Sequence, residues 1–126
     1  MEQRGGRPRV LLVEDDAMIG ALMAELLGSL GYDVYPVETT EAGAVSAAAR
    51  HRPDLMIVDV RLADGSGLSA MARIAQTNPV PHVFMSGELL RGAVPGTALL
   101  RKPFREADLV RAIGQALGAA APDCTV

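Results

Sequence analysis

Residues 10–16, VLLVEDD, place four apolar residues directly before three acids, and residues 55–59, LMIVD, repeat the pattern with one acid. A run that is apolar at every position is typical of a strand buried on both faces, as in parallel sheets. In both runs the chain becomes acidic at the point where the strand would end. The two segments therefore predict buried strands whose carboxyl ends carry carboxylates.

Outward from these runs, strand and helix patterns alternate along the chain. Between residues 17 and 30, apolar residues recur at three- and four-residue spacing, which is typical of an amphipathic helix, and Gly31 follows as its stop. Thr39 or Thr40 can cap the next helix. The predicted strands are 9–13, 33–37, 55–58, 82–85 and 97–100, and the predicted helices are 40–50, 68–77 and 106–117 besides 17–30.

This alternation predicts an α/β fold, a parallel sheet with helices on both faces, because short right-handed crossovers leave few other arrangements. Residues 88–96 interrupt the pattern. They contain Gly92, Pro95 and Gly96 and leave room for at most one helical turn. We therefore expect a loop there, with the fourth helix of the alternation shortened or absent.

The composition is that of one globular domain, with 126 residues, 49% hydrophobic and 21% charged. We divide the chain into a flexible N-terminal tail (1–8), one domain (9–118) and a flexible C-terminal tail (119–126). The single cysteine, Cys124, excludes a disulfide framework or a zinc cluster and suits the cytoplasm. A net charge of −3 and the absence of a long apolar run predict that the protein binds neither nucleic acid nor a membrane.

Chemically active side chains follow the predicted strands one, three, four and five. They are Glu14 and Asp15, then Asp59, Ser86 and Lys102. Ligands of parallel α/β folds bind at this edge of the sheet. Carboxylates held close together repel one another unless a hard cation lies among them, and oxygen ligands of this kind suit Mg²⁺, which usually also binds phosphate oxygens. The pattern predicts a magnesium site that receives a phosphoryl group.

Lys102 is the only lysine among the 12 Lys and Arg residues of the chain. A compact ammonium suits a crowded phosphoryl oxygen better than a planar guanidinium does. Neighbouring residues have simpler interpretations: Asp16 and Asp64 are expected to cap helices or turns, and Gly65 and Gly67 to serve as turn glycines.

These landmarks, in this order, resemble the receiver domain of bacterial two-component response regulators. The resemblance covers about residues 10–117 and rests on the acids after strand one, on Asp59, on the loop 62–68 (LADGSGL), on Ser86, and on the segment 102–104 (KPF). It implies a flavodoxin-like (βα)5 fold with strand order 2-1-3-4-5. It also implies that the Lys102-Pro103 peptide is cis.

The resemblance further implies that Asp59 accepts a phosphoryl group from a phosphohistidine of a histidine kinase or histidine phosphotransfer protein. Asp15 and Asp59 would ligate Mg²⁺ directly, with Glu14 acting through water and the backbone carbonyl of Arg61 as a further ligand. No enzymatic activity is implied beyond self-catalysed phosphorylation and autodephosphorylation.

Two other residues receive roles from the same resemblance. Lys102 would neutralise a phosphoryl oxygen, and Ser86 would move toward the phosphoryl group once it arrives. The signal would then pass to an unidentified output protein through protein contacts.

Two departures from the family pattern keep alternatives open. Leu99 stands where receivers usually carry an aromatic residue that swings inward, and the segment between Ser86 and Lys102 is short. The shortened segment resembles the FAT GUY subgroup of single-domain receivers. The alternatives are a binding module that works without phosphorylation, a receiver fragment of a hybrid histidine kinase and, less favoured, a small metal-dependent phosphatase.

Overall fold

The computed structural model of the protein describes residues 6–87 and 98–120. The strands are β1 (Arg9–Val13), β2 (Asp33–Val34), β3 (Leu55–Asp59), β4 (His82–Ser86) and β5 (Ala98–Arg101). The helices are α1 (Ala17–Ser29), α2 (Glu41–His51), α3 (Gly67–Ala75) and α4 (Glu106–Ala120). The expected loop at 88–96, and with it the shortened or absent fourth helix of the alternation, lies outside the described residues.

All strand pairs are parallel, and the order in the sheet is β2-β1-β3-β4-β5. In the centre of the sheet, Leu12 of β1 lies opposite Ile57 of β3, which lies opposite Val83 of β4. The predicted fold class and strand order are confirmed. Because the strands run in one direction, their carboxyl ends all lie at the same edge of the sheet.

Helices cover both faces of this sheet, so the core has two halves. On one face α1 and α4 pack through residues such as Leu27 and Leu109, both fully buried. On the other face α2 and α3 contribute Ala44, Ala47 and Ala70, also fully buried. Burial on both faces explains why β1 and β3 are apolar at successive positions. Within the described residues, no helix combines the length and the apolar character needed to cross a bilayer.

Strand β2 is shorter than the predicted 33–37. Tyr35 N–H donates to Val10 O (3.0 Å), but the next bond to β1 comes from Glu38 N–H to Leu12 O (3.0 Å), one residue later than regular pairing requires. One extra residue therefore interrupts the pairing, which resumes as a single bridge between Val13 and Glu38.

The helix starts are capped by side chains, and two of these caps were expected. Asp16 accepts from Met18 N (3.0 Å) and Ile19 N (3.1 Å), which confirms its predicted capping role. Thr40 accepts from Gly43 N (3.0 Å) and caps α2. Helix α3 begins at Gly67, one residue earlier than expected, and α4 runs to Ala120, three residues further than expected.

Part of the predicted N-terminal tail contacts the domain. The Arg7 guanidinium donates to the carbonyls of Gly28 (2.7 Å) and Gly31 (3.1 Å) at the end of α1. Residues 1–5 and 121–126 lie outside the described residues, so the division into tails and domain stays a prediction.

Candidate functional site

Three carboxylates meet at the carboxyl edge of the sheet. Glu14 and Asp15 directly follow β1, and Asp59 is the last residue of β3. One oxygen from each lies within 4.8 Å of the others. Glu14 and Asp59 are buried, at 1% and 7% exposure, while Asp15 faces solvent. The structure thus brings the three predicted metal-binding side chains together.

Lys102 directly follows β5 and reaches this cluster from the same edge of the sheet. Its Nζ donates to Asp59 Oδ2 (2.7 Å) and to Glu14 Oε1 (2.8 Å). Its backbone N–H donates to the carbonyl of Ser86 (2.7 Å), which fixes the residue against the end of β4. One ammonium therefore bridges two carboxylates from different strands.

Burial and pairing act in opposite directions on these charges. Burial raises the pKa of the Glu14 carboxyl above its usual range, and the hydrogen bond from Lys102 offsets only part of this effect. Burial also disfavours the charge on Lys102, but its hydrogen bonds to Asp59 and Glu14 outweigh burial and raise the pKa of Lys102. Lys102 therefore stays protonated at neutral pH.

The loop after β3 closes one side of the cluster. Arg61 N–H donates to Asp59 Oδ1 (3.2 Å), and Ala63 N–H donates to Asp15 Oδ2 (2.6 Å). These bonds tie the loop backbone to two of the three carboxylates. The structure places the backbone of Arg61 beside Asp59, and the role of its carbonyl as a metal ligand stays a prediction.

Ser86 ends β4 and is 5% exposed. It pairs in register with Arg101, directly before Lys102, so it lies at the same edge as the carboxylates. The Lys102-Pro103 peptide is cis, as expected. All the predicted site residues therefore lie at one edge of the sheet.

The donor set suits Mg²⁺. Carboxylate oxygens are hard ligands, and one ammonium against three carboxylates leaves an excess of negative charge that a divalent cation would neutralise. Glu14 is the most buried of the three, and it shares the Lys102 ammonium with Asp59. Direct binding of the ion by Asp15 and Asp59, with Glu14 acting through water, stays a prediction.

Two residues near the site had no predicted role beyond the local chain. A Cβ on Gly67 would collide with the carbonyl oxygen of Asp59 and with Val58 Cγ1, so the start of α3 packs directly on the end of β3. Glu41, in the first turn of α2, accepts bonds from Ser66 and Ser69. Neither contact could be predicted from the local sequence pattern, because each joins segments that meet only after folding.

The fold and this set of residues define a class of protein, the receivers of two-component signalling. The family model for the response regulator receiver domain matches residues 10–114. The chain belongs to the response regulator receiver domain family.

Several response regulators are similar in sequence over most of this chain. The phyllosphere-induced regulator PhyR of Methylorubrum extorquens is 37% identical over 114 residues, which cover 86% of this chain and 43% of that protein. The transcriptional regulatory protein PdtaR of Mycobacterium tuberculosis is 35% identical over 111 residues, covering 83% and 54%. The chain therefore spans about half the length of these curated relatives.

Solved structures agree with the fold. The solution structure of the PhyR receiver domain of Erythrobacter litoralis has a TM-score of 0.81 and 32% identity, covering 96% of this chain and 98% of that one. The crystal structure of the anti-anti-sigma factor PhyR of Bartonella quintana has a TM-score of 0.77 and 31% identity, covering 94% of this chain and 50% of that one.

Proposed function

We propose that the protein is a phosphorylatable receiver in which Asp59 accepts a phosphoryl group from a phosphohistidine on a histidine kinase or histidine phosphotransfer protein. One observation carries the proposal. The buried Asp59 carboxylate lies 2.7 Å from a lysine ammonium and shares its pocket with two further carboxylates. Phosphoryl transfer needs mainly positioning and charge neutralisation, and this pocket is suited to both.

In the proposed reaction a carboxylate oxygen of Asp59 forms a bond to phosphorus while the phosphorus–nitrogen bond of the phosphohistidine breaks. The electron pair of that bond stays on the imidazole nitrogen. Lys102, already beside Asp59, would move its hydrogen bond from the carboxylate to a phosphoryl oxygen. Ser86, buried at the end of β4, would turn its hydroxyl toward another phosphoryl oxygen.

Asp15, Asp59 and the Arg61 carbonyl would hold Mg²⁺, with Glu14 acting through water. When bound, the ion would supply positive charge that offsets the negative charge of the carboxylates and of the phosphoryl group. Asp15 is exposed, so ion and donor would enter from its side of the pocket. Ala63 N–H already orients Asp15 through Oδ2.

The phosphodonor would dock on the apolar face of α1 beside the site. Leu22 is 61% exposed, and together with Ile19 and Leu26 it lines a groove that continues to Lys102 and Phe104. Glu25 is the only charged residue of α1. Exposed apolar surface of this kind marks a protein contact. Because the groove ends at Lys102, its occupant would be the helix of the donor that carries the phosphohistidine.

The phosphorylated protein would signal through contacts with an output protein. A second candidate function, a binding module that does not respond to phosphate, rests on Leu99. This β5 residue is 37% exposed and is paired in register with Phe84. It cannot act as the aromatic switch of the family, so phosphorylation could leave the binding surface unchanged.

Phosphate-affinity gel electrophoresis after incubation with acetyl phosphate and Mg²⁺ tests the main proposal. We expect a retarded band that disappears in Asp59→Asn and in EDTA. A retarded band that persists in Asp59→Asn would contradict the assignment of the acceptor. If acetyl phosphate gives no band, phosphorylated histidine phosphotransfer proteins serve as donors, and failure with these as well would favour the phosphate-independent module.

A further inference from the structure

Residues 61–66, in the loop between β3 and α3, carry backbone groups that belong to the candidate magnesium site. At its start, Arg61 N–H donates to Asp59 and Ala63 N–H donates to Asp15. Between those residues and α3 the chain has no regular structure apart from a bridge between Arg61 and Ser66. Its far end is held by the Gly67 N–H, which donates to the Val60 carbonyl (2.9 Å), and by a residue outside the loop.

Glu41 holds that far end, from a different helix. Its Oε1 accepts from Ser66 N–H (3.0 Å), its Oε2 accepts from the Ser69 hydroxyl (2.6 Å), and its own N–H donates to the carbonyl of Asp64 (3.1 Å). One residue of α2 thus contacts both the last part of the 61–66 loop and the first turn of α3. The carboxylate lies at the amino end of α3, where a negative charge is favoured.

Glu41 has two further contacts, an ion pair with Arg73 and packing against the backbone of Gly65. Arg73 Nη1 donates to Glu41 Oε2 (3.1 Å) from the last turn of α3. Gly65 has a φ of +92°, and a Cβ there would lie 2.5 Å from Glu41 Cβ, so the loop backbone packs against the Glu41 side chain. The hydrogen bonds from Ser69, Ser66 and Arg73 lower the pKa of Glu41, so it is charged at neutral pH.

We propose that Glu41 is a positioning residue for the magnesium site. It fixes the 61–66 loop at Asp64 and Ser66, and the loop in turn presents the Arg61 carbonyl and the Ala63 N–H to the ion and to Asp15. Glu41 itself touches none of the three clustered carboxylates in any described hydrogen bond or ion pair. The inference rests on the proposed function, since it assigns Glu41 a part in the same Mg²⁺-dependent reaction.

The test measures Mg²⁺ binding to the full chain by isothermal titration calorimetry, without any phosphodonor. Groups that orient metal ligands are worth at least about tenfold in affinity, so we expect Glu41→Ala to raise the Mg²⁺ dissociation constant about tenfold. In acetyl phosphate assays the Mg²⁺ concentration for half-maximal rate should rise by the same factor, while the rate at saturating Mg²⁺ stays near that of the unsubstituted protein.

Two matched variants separate loop positioning from general damage to the fold. Glu41→Gln keeps an oxygen for Ser66 N–H and should restore most of the Mg²⁺ affinity. Arg73→Ala removes only the ion pair between Arg73 and Glu41. The Arg73 side chain is 51% exposed, so the Mg²⁺ affinity should stay unchanged. The amide NMR signals of Ala63 and Ser66 should shift in Glu41→Ala and stay in place in Arg73→Ala.

An unchanged dissociation constant in Glu41→Ala would overturn the inference and leave the proposed function standing. Equal weakening by Arg73→Ala would also overturn it, because the effect would then come from the packing of α2 on α3. If the unsubstituted protein neither binds Mg²⁺ nor takes up phosphate, the proposed function fails and the inference falls with it.

Discussion

The ammonium of Lys102 lies 2.7 Å from Oδ2 of Asp59, and this ion pair joins the end of β5 to the end of β3 across the intervening β4. The same Nζ lies 2.8 Å from Glu14 at the end of β1. The pocket therefore holds two buried carboxylates around one cation. Removing the cation leaves both carboxylates buried without their partner, which costs more than the loss of a surface ion pair.

Lys102→Met should therefore destabilise the metal-free protein. We expect the free energy of unfolding to fall by about 2–3 kcal/mol, less than for a fully buried pair because the Lys102 side chain is 20% exposed. Urea unfolding at pH 7.5 in EDTA measures this difference.

The double variant Glu14→Gln/Lys102→Met is the control for that measurement. It removes one of the two carboxylates that Lys102→Met leaves without a cation, so it should recover part of the lost free energy of unfolding. If Lys102→Met unfolds at the same urea concentration as the unsubstituted protein, the ammonium does not offset the carboxylates as the geometry indicates.

The position of this site was predictable because parallel strands carry their ends to one edge. The acids after residues 10–13 and 55–58 mark two such ends, and the order of the motifs places Ser86 and Lys102 beside them. Buried strands have a strong sequence signal, since every position is apolar. The early end of β2 has no such signal, because it depends on which donors pair with β1.

The support for the 61–66 loop could not be predicted in the same way. Glu41 and Ser66 are 25 residues apart, and their hydrogen bond depends on the packing of α2 against α3. An acid in the first turn of a helix is common for electrostatic reasons alone, so the sequence offers no reason to link Glu41 with a loop. The clash that restricts Gly67 is likewise a contact between α3 and β3 that exists only in the folded chain.

Gly67→Ala tests how closely α3 packs on the end of β3. The added Cβ would collide with the carbonyl oxygen of Asp59, and because that atom is backbone, β3 or α3 must shift. We expect a loss of about 3 kcal/mol in the free energy of unfolding, together with slower phosphorylation of Asp59. Thermal unfolding and the acetyl phosphate assay measure the two effects.

The matched control is Gly114→Ala in α4, where a Cβ would meet nothing within 4 Å. Alanine is the better helix former, so this variant should gain about 1 kcal/mol and should be phosphorylated normally. Equal stability of Gly67→Ala and the unsubstituted protein would show that α3 does not rest on β3 as described.

Glu41 should make the stability of the protein depend on pH in the acidic range. Its pKa is lowered in the folded protein, mainly by the Ser69 hydrogen bond, so its contribution is fully present above the usual glutamate value of 4.5. That contribution is lost as pH falls through the lowered value. The unfolded chain binds a proton at Glu41 at a higher pH than the folded protein does, so acid favours unfolding. Glu41→Gln should therefore unfold more easily than the unsubstituted protein at pH 6, and the gap should narrow below pH 4. A gap that stays constant from pH 6 to pH 3 would contradict a charged Glu41. Urea unfolding across that range measures it.

The apolar groove on α1 should matter to a protein donor but not to a small one. Leu22→Ser changes a side chain that is 61% exposed, so stability should stay within about 0.5 kcal/mol of the original. Transfer from a phosphorylated histidine phosphotransfer protein should slow by about tenfold, the effect of about 1.4 kcal/mol of lost binding, while phosphorylation by acetyl phosphate stays unchanged. Val110→Ser, on α4 and 50% exposed, is the matched control and should leave both reactions unchanged.

If both variants slow transfer equally, the donor does not select the α1 groove. If phosphorylation by acetyl phosphate falls in Leu22→Ser, the substitution has disturbed Asp59 and its pocket. Slowing confined to Leu22→Ser and to the protein donor would place the docking helix against α1, with its phosphohistidine directed past Lys102 to Asp59.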